Sequence, residues 1–318
     1  MVWFILSLPC HNTLPKIFPS EEIITQSIIN TYRTLRTIGI SALAVSPNGQ
    51  RAVSGSSDGI INLWDPENGK EILILEGHTD AIHSIALTSD GKIALSGSTD
   101  NTIKVWDLET GKEIRSLKDS TKVLTAVTIT PDGKRAVSGS DDGTIAVWNL
   151  ETGQKILILE GHSDVIHSIA LTSNGTRALS GSSDNTIRVW DLETGQEIKS
   201  IKDSAKVLSA VTITPDGKRA LLGSNDGTIM VWNLETGQEI NAYKIHSSNI
   251  FAVSVFHNGP ISLSGSDDGA IKIFNIDTGN IVATFSVASM TAVSVSKDER
   301  YIIAGDNSGT IHFLVLEN

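Results

Sequence analysis

The chain contains 318 residues, carries a formal net charge of −11 and has one cysteine, Cys10. The acidic balance argues against nucleic acid and membrane partners, because both require basic patches and the Lys and Arg residues form no run. A single cysteine excludes an intrachain disulfide framework and a cysteine-based zinc site. With 40% hydrophobic and 19% charged residues, the composition predicts a folded chain with a buried core.

The first 30 residues do not share the pattern of the rest of the chain. They open with a short apolar run that lacks the basic start and the long core of a secretory signal. We therefore predict a cytoplasmic protein whose N-terminal extension is buried or docks a partner. An exported protein anchored through Cys10 is the alternative. Residues 20–29 suit either a short helix capped by Ser20 or a β-strand.

A period of 42 residues organises the chain after residue 38. Self-similarity at a fixed period indicates stacked modules that bury one another. The period is marked by tryptophans, then by a phenylalanine, and in a degenerate seventh copy by a leucine: Trp64, Trp106, Trp148, Trp190, Trp232, Phe274 and Leu314. The spacing therefore predicts seven modules.

Each unit shows four short β-rich runs separated by turn residues. In the second unit the runs are Ile82–Leu87, Lys92–Gly97, Thr102–Trp106 and Glu113–Leu117. The Gly, Asn and Asp residues between them tolerate the left-handed conformations of hairpin turns. Polar and apolar residues alternate only weakly, as expected when both faces of a sheet are covered. Four-stranded antiparallel units stacked around an axis predict an all-β fold, a β-propeller.

The second and fourth units also carry a family resemblance. Their marks, which are similar to the signature of the WD-repeat family, are Gly77-His78, Ser96-Gly97-Ser98, Asp100 and Trp106-Asp107, then Gly161-His162, Ser180, Asp184 and Trp190-Asp191. The resemblance covers residues 31–318 and implies a seven-bladed propeller that follows an extension of residues 1–30. WD-repeat propellers commonly close when an N-terminal strand completes the last blade, and Thr31–Thr37 looks like that strand here. Pairing the two ends removes an open sheet edge.

Two kinds of unit alternate along the chain. Residues 99–150 and 183–234, which are offset by 84, differ at eleven of 52 positions. Units two and four carry Gly-His before the first strand, whereas units three and five carry Asp-Ser there. The alternation indicates duplication of a two-blade block. Seven blades cannot alternate evenly, so units one and seven are expected to be irregular.

The signature of the second unit includes a set that resembles a Ser-His-Asp catalytic site: His78, Ser96 and Asp100. An enzyme rarely needs the same constellation twice, so its recurrence in two units argues against catalysis. The resemblance implies instead a buried hydrogen-bond chain that holds each blade together, formed by His78, Ser96, Asp100 and Trp106 and again by His162, Ser180, Asp184 and Trp190. We predict no catalytic residue, no metal site and no cofactor.

Partners of WD-repeat proteins usually meet the face that bears the loops before the first strand and between the second and third strands. When the partner-facing positions of the family are transferred to this sequence, the candidate partner-binding residues are His83, Thr99, Asp141, His167, Asn249, Phe251 and Asp267. Phe251 is the one large aromatic in this set. It either anchors a partner or packs between blades.

The resemblance implies a non-enzymatic scaffold or sensing platform in signalling. We predict a monomer that binds a protein partner on the loop-bearing face. The alternative is an enzyme or small-ligand binder that uses the central channel, which a unique cluster of acids, histidines or metal ligands on one blade would favour. The sequence shows no such cluster.

Overall fold

The computed structural model describes residues 28–33, 39–118, 122–202, 208–286 and 289–316, with side chains from residue 39 onward. These ranges contain 28 β-strands, and no helix occurs within them. The expected turns carry left-handed backbone: φ is +68° at Gly91, +66° at Asn101 and +71° at Gly111. The prediction of an all-β fold is confirmed.

The strands group into seven sheets, which we number as blades 1 to 7. Blade 1 consists of β2 (Ile40–Val45), β3 (Ala52–Ser56), β4 (Ile61–Asp65) and β5 (Lys70–Leu75). Blade 2 consists of β6 (Ile82–Leu87), β7 (Ile93–Ser98), β8 (Thr102–Asp107) and β9 (Lys112–Lys118). Blade 3 consists of β10 (Leu124–Ile129), β11 (Arg135–Ser140), β12 (Ile145–Asn149) and β13 (Lys155–Leu159).

The other four blades follow the same plan. Blade 4 consists of β14 (Ile166–Leu171), β15 (Arg177–Ser182), β16 (Thr186–Asp191) and β17 (Glu197–Lys202). Blade 5 consists of β18 (Leu208–Ile213), β19 (Arg219–Ser224), β20 (Thr228–Asn233) and β21 (Gln238–Lys244). Blade 6 consists of β22 (Ile250–Val255), β23 (Ile261–Ser266), β24 (Ala270–Asn275) and β25 (Ile281–Ser286). Blade 7 consists of β26 (Met290–Val295), β27 (Tyr301–Asp306), β28 (Thr310–Val315) and β1 (Ile28–Arg33).

The first strand of each blade lies innermost, and the seven inner strands form a ring. Consecutive inner strands contact one another from β2 through β26, and β26 contacts β2 again. All strand pairs within the blades are antiparallel, in the order first, second, third, fourth. The prediction of a seven-bladed propeller with four-stranded antiparallel blades is therefore confirmed. In blade 2 the four predicted runs match β6 to β9 to within one residue.

Strand β1 supplies the outer strand of the last blade. It pairs antiparallel with β28 from Ile28 opposite Val315 to Arg33 opposite Thr310. The strand expected there was Thr31–Thr37, so the pairing begins three residues earlier, and residues 34–38 lie outside the described ranges. In the other blades an apolar residue such as Tyr243 lies opposite the isoleucine of the third strand. Tyr32, opposite Ile311, takes that register in blade 7.

A glycine in each second strand lets neighbouring blades approach closely. A methyl group placed on Gly139 would lie 2.5 Å from Ile166 Cγ2 of the next blade, and one placed on Gly97 would lie 2.7 Å from Val127 Cγ1. Glycine within a strand often marks such a contact. The second strands are consequently almost wholly buried, whereas the fourth strands are largely exposed. The core therefore lies between blades, around the inner strands.

Candidate functional site

The signature residues of blade 2 form one hydrogen-bond chain. Trp106 Nε1 donates to Ser96 Oγ at 2.8 Å, and Ser96 Oγ lies 2.6 Å from His78 Nε2. His78 Nδ1 lies 2.7 Å from Asp100 Oδ2. One arrangement of hydrogens satisfies every atom: the serine hydroxyl donates to Nε2 of a neutral imidazole, whose Nδ1–H donates to the carboxylate. The chain joins β7, β8 and the loop before β6.

Blade 4 repeats the chain, and blade 6 repeats part of it. His162 lies 2.7 Å from Ser180 Oγ and 2.9 Å from Asp184 Oδ2, and Trp190 Nε1 donates to Ser180 Oγ at 2.8 Å. In blade 6 His246 lies 2.8 Å from Ser264 Oγ and 3.0 Å from Asp268. Phe274 stands where the tryptophan would be, so this serine has no indole donor. The structure thus brings together all eight residues of the two complete sets.

Burial and hydrogen bonding set the protonation of these pairs. Burial lowers the pKa of His78 and of His162, and this effect exceeds the opposing attraction of their aspartates. Burial works against ionisation of Asp184, but hydrogen bonds from Thr186, His162 and the Ser163 backbone lower its pKa to about 2. Neutral histidine and ionised aspartate are the forms that the hydrogen-bond chain requires. The histidine side chains are fully buried, so no substrate reaches them.

Blades 1 and 3, which lack the histidine, keep only the indole bond, and blade 5 has lost that as well. Trp64 donates to Ser54 Oγ and Trp148 to Ser138 Oγ, both at 2.9 Å. In blade 5 the serine is replaced by Leu222, which faces Met230 across the sheet. Trp232 Nε1 is buried and has no partner among the described residues. The sequence reasoning missed this substitution, although Leu222 breaks a Ser-Gly-Ser motif.

Blade 7 contains a different buried pair, which the sequence reasoning also missed. His312 Nε2 lies 3.0 Å from Asp306 Oδ2, and the two residues are 7% and 2% exposed. Asp306 also accepts hydrogen bonds from the backbone of Ser308 and Thr310. Burial works against ionisation of Asp306, but hydrogen bonds from the Ser308 hydroxyl, His312 and these two backbone groups lower its pKa. The signal was available, because His312 and Asp306 replace residues of other kinds in every other repeat.

Two loops of each blade lie side by side on one face, which we call the loop face. The residue before the turn aspartate donates its backbone N–H to the residue before the inner strand, as from Thr99 to Ala81 O at 2.9 Å. Asp141 donates in the same way to Val123 O at 3.1 Å, and Asp267 to Asn249 O at 3.0 Å. Thr99, Asp141, Asn249 and Asp267 therefore all belong to the loop face.

The second residue of each inner strand alternates between a small hydroxyl and a ring. In blades 1, 3, 5 and 7 the hydroxyl donates to a carbonyl of the next blade: Ser41 to Ile82, Thr125 to Ile166, Ser209 to Ile250 and Thr291 to Ile40. In blades 2, 4 and 6 the same position carries His83, His167 and Phe251, which are exposed. We call these three rings the rim.

The two rim histidines are held by hydroxyls of their own blades. His83 Nε2 lies 2.7 Å from Thr99 Oγ1, and His167 Nε2 lies 2.6 Å from Ser183 Oγ. Although both residues are exposed, partial withdrawal of the imidazoles from water lowers their pKa, against the attraction of Asp80 and Asp164 respectively. The two histidines belong to different blades, and no group of three or more metal-ligating side chains was found in the described residues.

Phe251 has no hydroxyl to bind and lies 40% exposed at the mouth of the channel. It lines a cavity of about 200 Å³ together with His83 and hydroxyls that include Ser41 and Thr291. His167 and Asp267 are not part of this lining. Asp267 instead accepts a hydrogen bond from Ser289 Oγ at 2.5 Å. The structure therefore groups Phe251 with His83 more closely than with the other candidate residues.

Comparisons with known proteins agree with this architecture. The family model described as WD domain, G-beta repeat matches residues 30–65, 195–233 and 237–275. The model described as NWD2 C-terminal beta-propeller matches residues 72–186. The chain belongs to the WD-repeat family. Members of this family generally act as protein-interaction scaffolds and are typically not enzymes.

Similarity to a curated protein is confined to a short stretch. The CCR4-associated factor 4 homolog of Vanderwaltozyma polyspora is 69% identical over 29 residues. The stretch covers 9% of this chain and 4% of that protein. A match of this length, below one repeat of 42 residues, shows a shared repeat and nothing more specific.

In the described part of the chain no helix is long and apolar enough to cross a membrane.

Proposed function

We propose that this chain is a non-enzymatic protein-interaction scaffold whose partner binds the loop face around the channel mouth. The observation that carries the proposal is Phe251, a large aromatic left 40% exposed at the centre of a face built from loops. Aromatic side chains are enriched among the residues that dominate binding energy. An exposed aromatic beside a concave mouth is a suitable anchor point for a partner side chain.

The rim around Phe251 is rigid, which favours binding. Hydroxyls of the odd-numbered blades bond the next blade, and the rim histidines bond their own blades through Thr99 and Ser183. A surface that is already ordered loses little conformational entropy when a partner docks. The seven inner strands thus present side chains at fixed positions, and only the side chains differ between blades.

The loop face also indicates the chemistry of the partner. Asp80, Asp141, Asp164 and Asp267 are exposed on its loops. Carboxylates at the edge of an interface favour basic groups on the partner and speed their encounter. A partner segment with an apolar anchor flanked by Lys or Arg fits this face.

The signature serines and histidines do not support catalysis. Ser96 and Ser180 are fully buried, and each already lies between an indole donor and an imidazole. A nucleophile must reach its substrate. The resemblance to a catalytic site is therefore limited to the residue types, and the buried hydrogen-bond chain stabilises the blade.

A capture experiment with matched variants tests the proposal. Immobilised wild-type chain, Phe251→Ala and Ile158→Ala are each exposed to native lysate, and retained proteins are compared. Ile158 is a suitable control because it is 55% exposed but lies on the outer strand β13. We expect Phe251→Ala to weaken retention of a specific protein about tenfold or more and Ile158→Ala to leave it unchanged. Equal retention by all three chains would contradict the proposal.

A further inference from the structure

The channel opens at its other end into a second cavity, which we call the vestibule. It has a volume of about 340 Å³, within the range of roughly 300–1,000 Å³ typical of small-molecule sites. Its walls are the last residues of the inner strands, including Leu171, Ile213, Val255 and Val295. Val45 takes the same position in blade 1, so the part of the wall formed by these strand ends is aliphatic.

Prolines make the lip of the vestibule apolar as well. Pro47, Pro131 and Pro215 follow the inner strands of blades 1, 3 and 5 and line the cavity. Proline has no backbone N–H and a fixed φ, so these turns offer a rigid apolar edge without a donor. The hydroxyls of Thr214 and Ser296 bond to Asp216 and Asp298 in their own turns.

Basic side chains line the cavity on one side only. Lys297 of blade 7 and His257 of blade 6 line the cavity, and no carboxylate does so among the described residues. The backbone of Lys297 donates to Pro47 O at 3.1 Å, which ties its turn to blade 1. Its side chain is exposed and makes no hydrogen bond or ion pair with a described residue.

We propose that the vestibule binds a medium-chain aliphatic carboxylate, with its hydrocarbon chain among the inner-strand residues and its head group at Lys297. Apolar walls take up the chain through the hydrophobic effect, and an ammonium group at one side of the mouth pairs with one anionic head. This site lies at the opposite end of the channel from the loop face. A test of this ligand site therefore does not depend on whether a protein partner binds the loop face.

Calorimetric titration of the full chain with octanoate, decanoate and dodecanoate tests the site. Each added methylene is expected to tighten binding about fourfold until the cavity is filled. Lys297→Gln should weaken decanoate binding about five- to tenfold and leave binding of uncharged decanol unchanged. Ser173→Trp, at the exposed lip, should abolish binding of both because the indole fills the cavity.

Lys218→Gln is the matched control, because Lys218 lies in the corresponding turn region of blade 5 without lining the vestibule. It should bind decanoate as the wild type does. The inference is overturned if decanoate shows no saturable binding below its micellar concentration. It is also overturned if Lys297→Gln and Lys218→Gln weaken binding equally, or if Ser173→Trp, with an unchanged melting temperature, still binds.

Discussion

Ser96 is the residue on which the hydrogen-bond chain of blade 2 depends. Its hydroxyl is fully buried, accepts from Trp106 and donates to His78. Ser96→Ala leaves two buried polar groups without a partner, each costing about 1–3 kcal/mol. We expect a loss of roughly 2–6 kcal/mol in the free energy of unfolding, measured by denaturant titration.

Ser138→Ala is the matched control for that prediction. Ser138 occupies the same position in blade 3, where only Trp148 depends on it. Its loss should cost about half as much, on the order of 1–3 kcal/mol. If the two variants lose equal stability, the hydrogen bond between Ser96 and His78 contributes no stability. The four residues of blade 2 then do not act as one hydrogen-bond network.

Acid should destabilise the protein in two steps. The folded pKa of His78, His162 and His246 is lowered by burial, so below the unfolded value of about 6.5 the unfolded state binds protons that the folded state does not. The free energy of unfolding therefore falls as pH drops from about 6.5. Asp100, Asp184 and Asp268 also have lowered pKa values, which adds a further loss below about pH 4.

Melting temperatures between pH 7.5 and 5 check the first step. The variant His162→Gln, which cannot take up a proton in blade 4, should lose less stability over this range than the wild type does. A steeper loss in the variant, or a wild type that becomes more stable on acidification, would show that these histidines are protonated in the fold.

The sequence predicted the signature network better than its exceptions. His78, Ser96, Asp100 and Trp106 could be found because their spacing recurs. Leu222 and the pair of Asp306 and His312 were missed, although their departure from the repeat was visible, because the repeat pattern predicts only what the units share. Their consequences follow from three-dimensional neighbours that only the structure shows: a Trp232 indole with no hydrogen-bond partner among the described residues, and a buried hydrogen bond between His312 and Asp306.

At the scale of the blade, the glycine of the second strand controls packing against the next blade. Gly139→Ala places a methyl group 2.5 Å from Ile166 Cγ2, so the inner strand of blade 4 must shift. Overpacking of this kind costs about 1–3 kcal/mol. Gly265→Ala is the control, since its methyl group would lie 3.3 Å from the nearest atom. Thermal melting should show a clearly lower midpoint for Gly139→Ala, and equal midpoints would exclude the glycine as the spacing element.

The alternation of blade types has a structural counterpart between blades. In blades 1 and 3 the fourth strand offers Leu73 and Leu157, which pack near the turn glycine of the next blade. In blades 2 and 4 the same position is Arg115 and Lys199, which donate to carbonyls of the following turn at 2.9 and 2.7 Å. The sequence showed the alternation, whereas the contacts that explain it needed the structure.

At the scale of the whole molecule, β1 closes the ring. It covers β28, which would otherwise be an exposed edge beside Phe313 and Leu314. Deletion of residues 1–33 should lower the melting temperature far more than deletion of residues 1–27, because only the longer deletion removes β1. Equal melting temperatures for the two truncated chains would show that the ring holds without this strand.

The position of β1 illustrates a limit of sequence reasoning. The number of blades and the closure of the last one followed from the period and the family resemblance. The register did not, because the sequence suggested a closing strand over Thr31–Thr37, whereas Ile28–Arg33 pairs with β28. Short β segments resemble one another, and the register is decided by pairing across the sheet.

Photocrosslinking tests most directly the proposed binding of a partner at the rim of the loop face. A photoreactive benzoylphenylalanine placed at Phe251, at Ile158 or at His257 reports contacts with the loop face, the outer edge or the vestibule, respectively. After irradiation in native lysate, we expect a specific protein adduct from position 251 that free wild-type chain competes away, and no such adduct from position 158. Adducts that form from position 257 or 158 but not from 251 would contradict the assignment of the binding face.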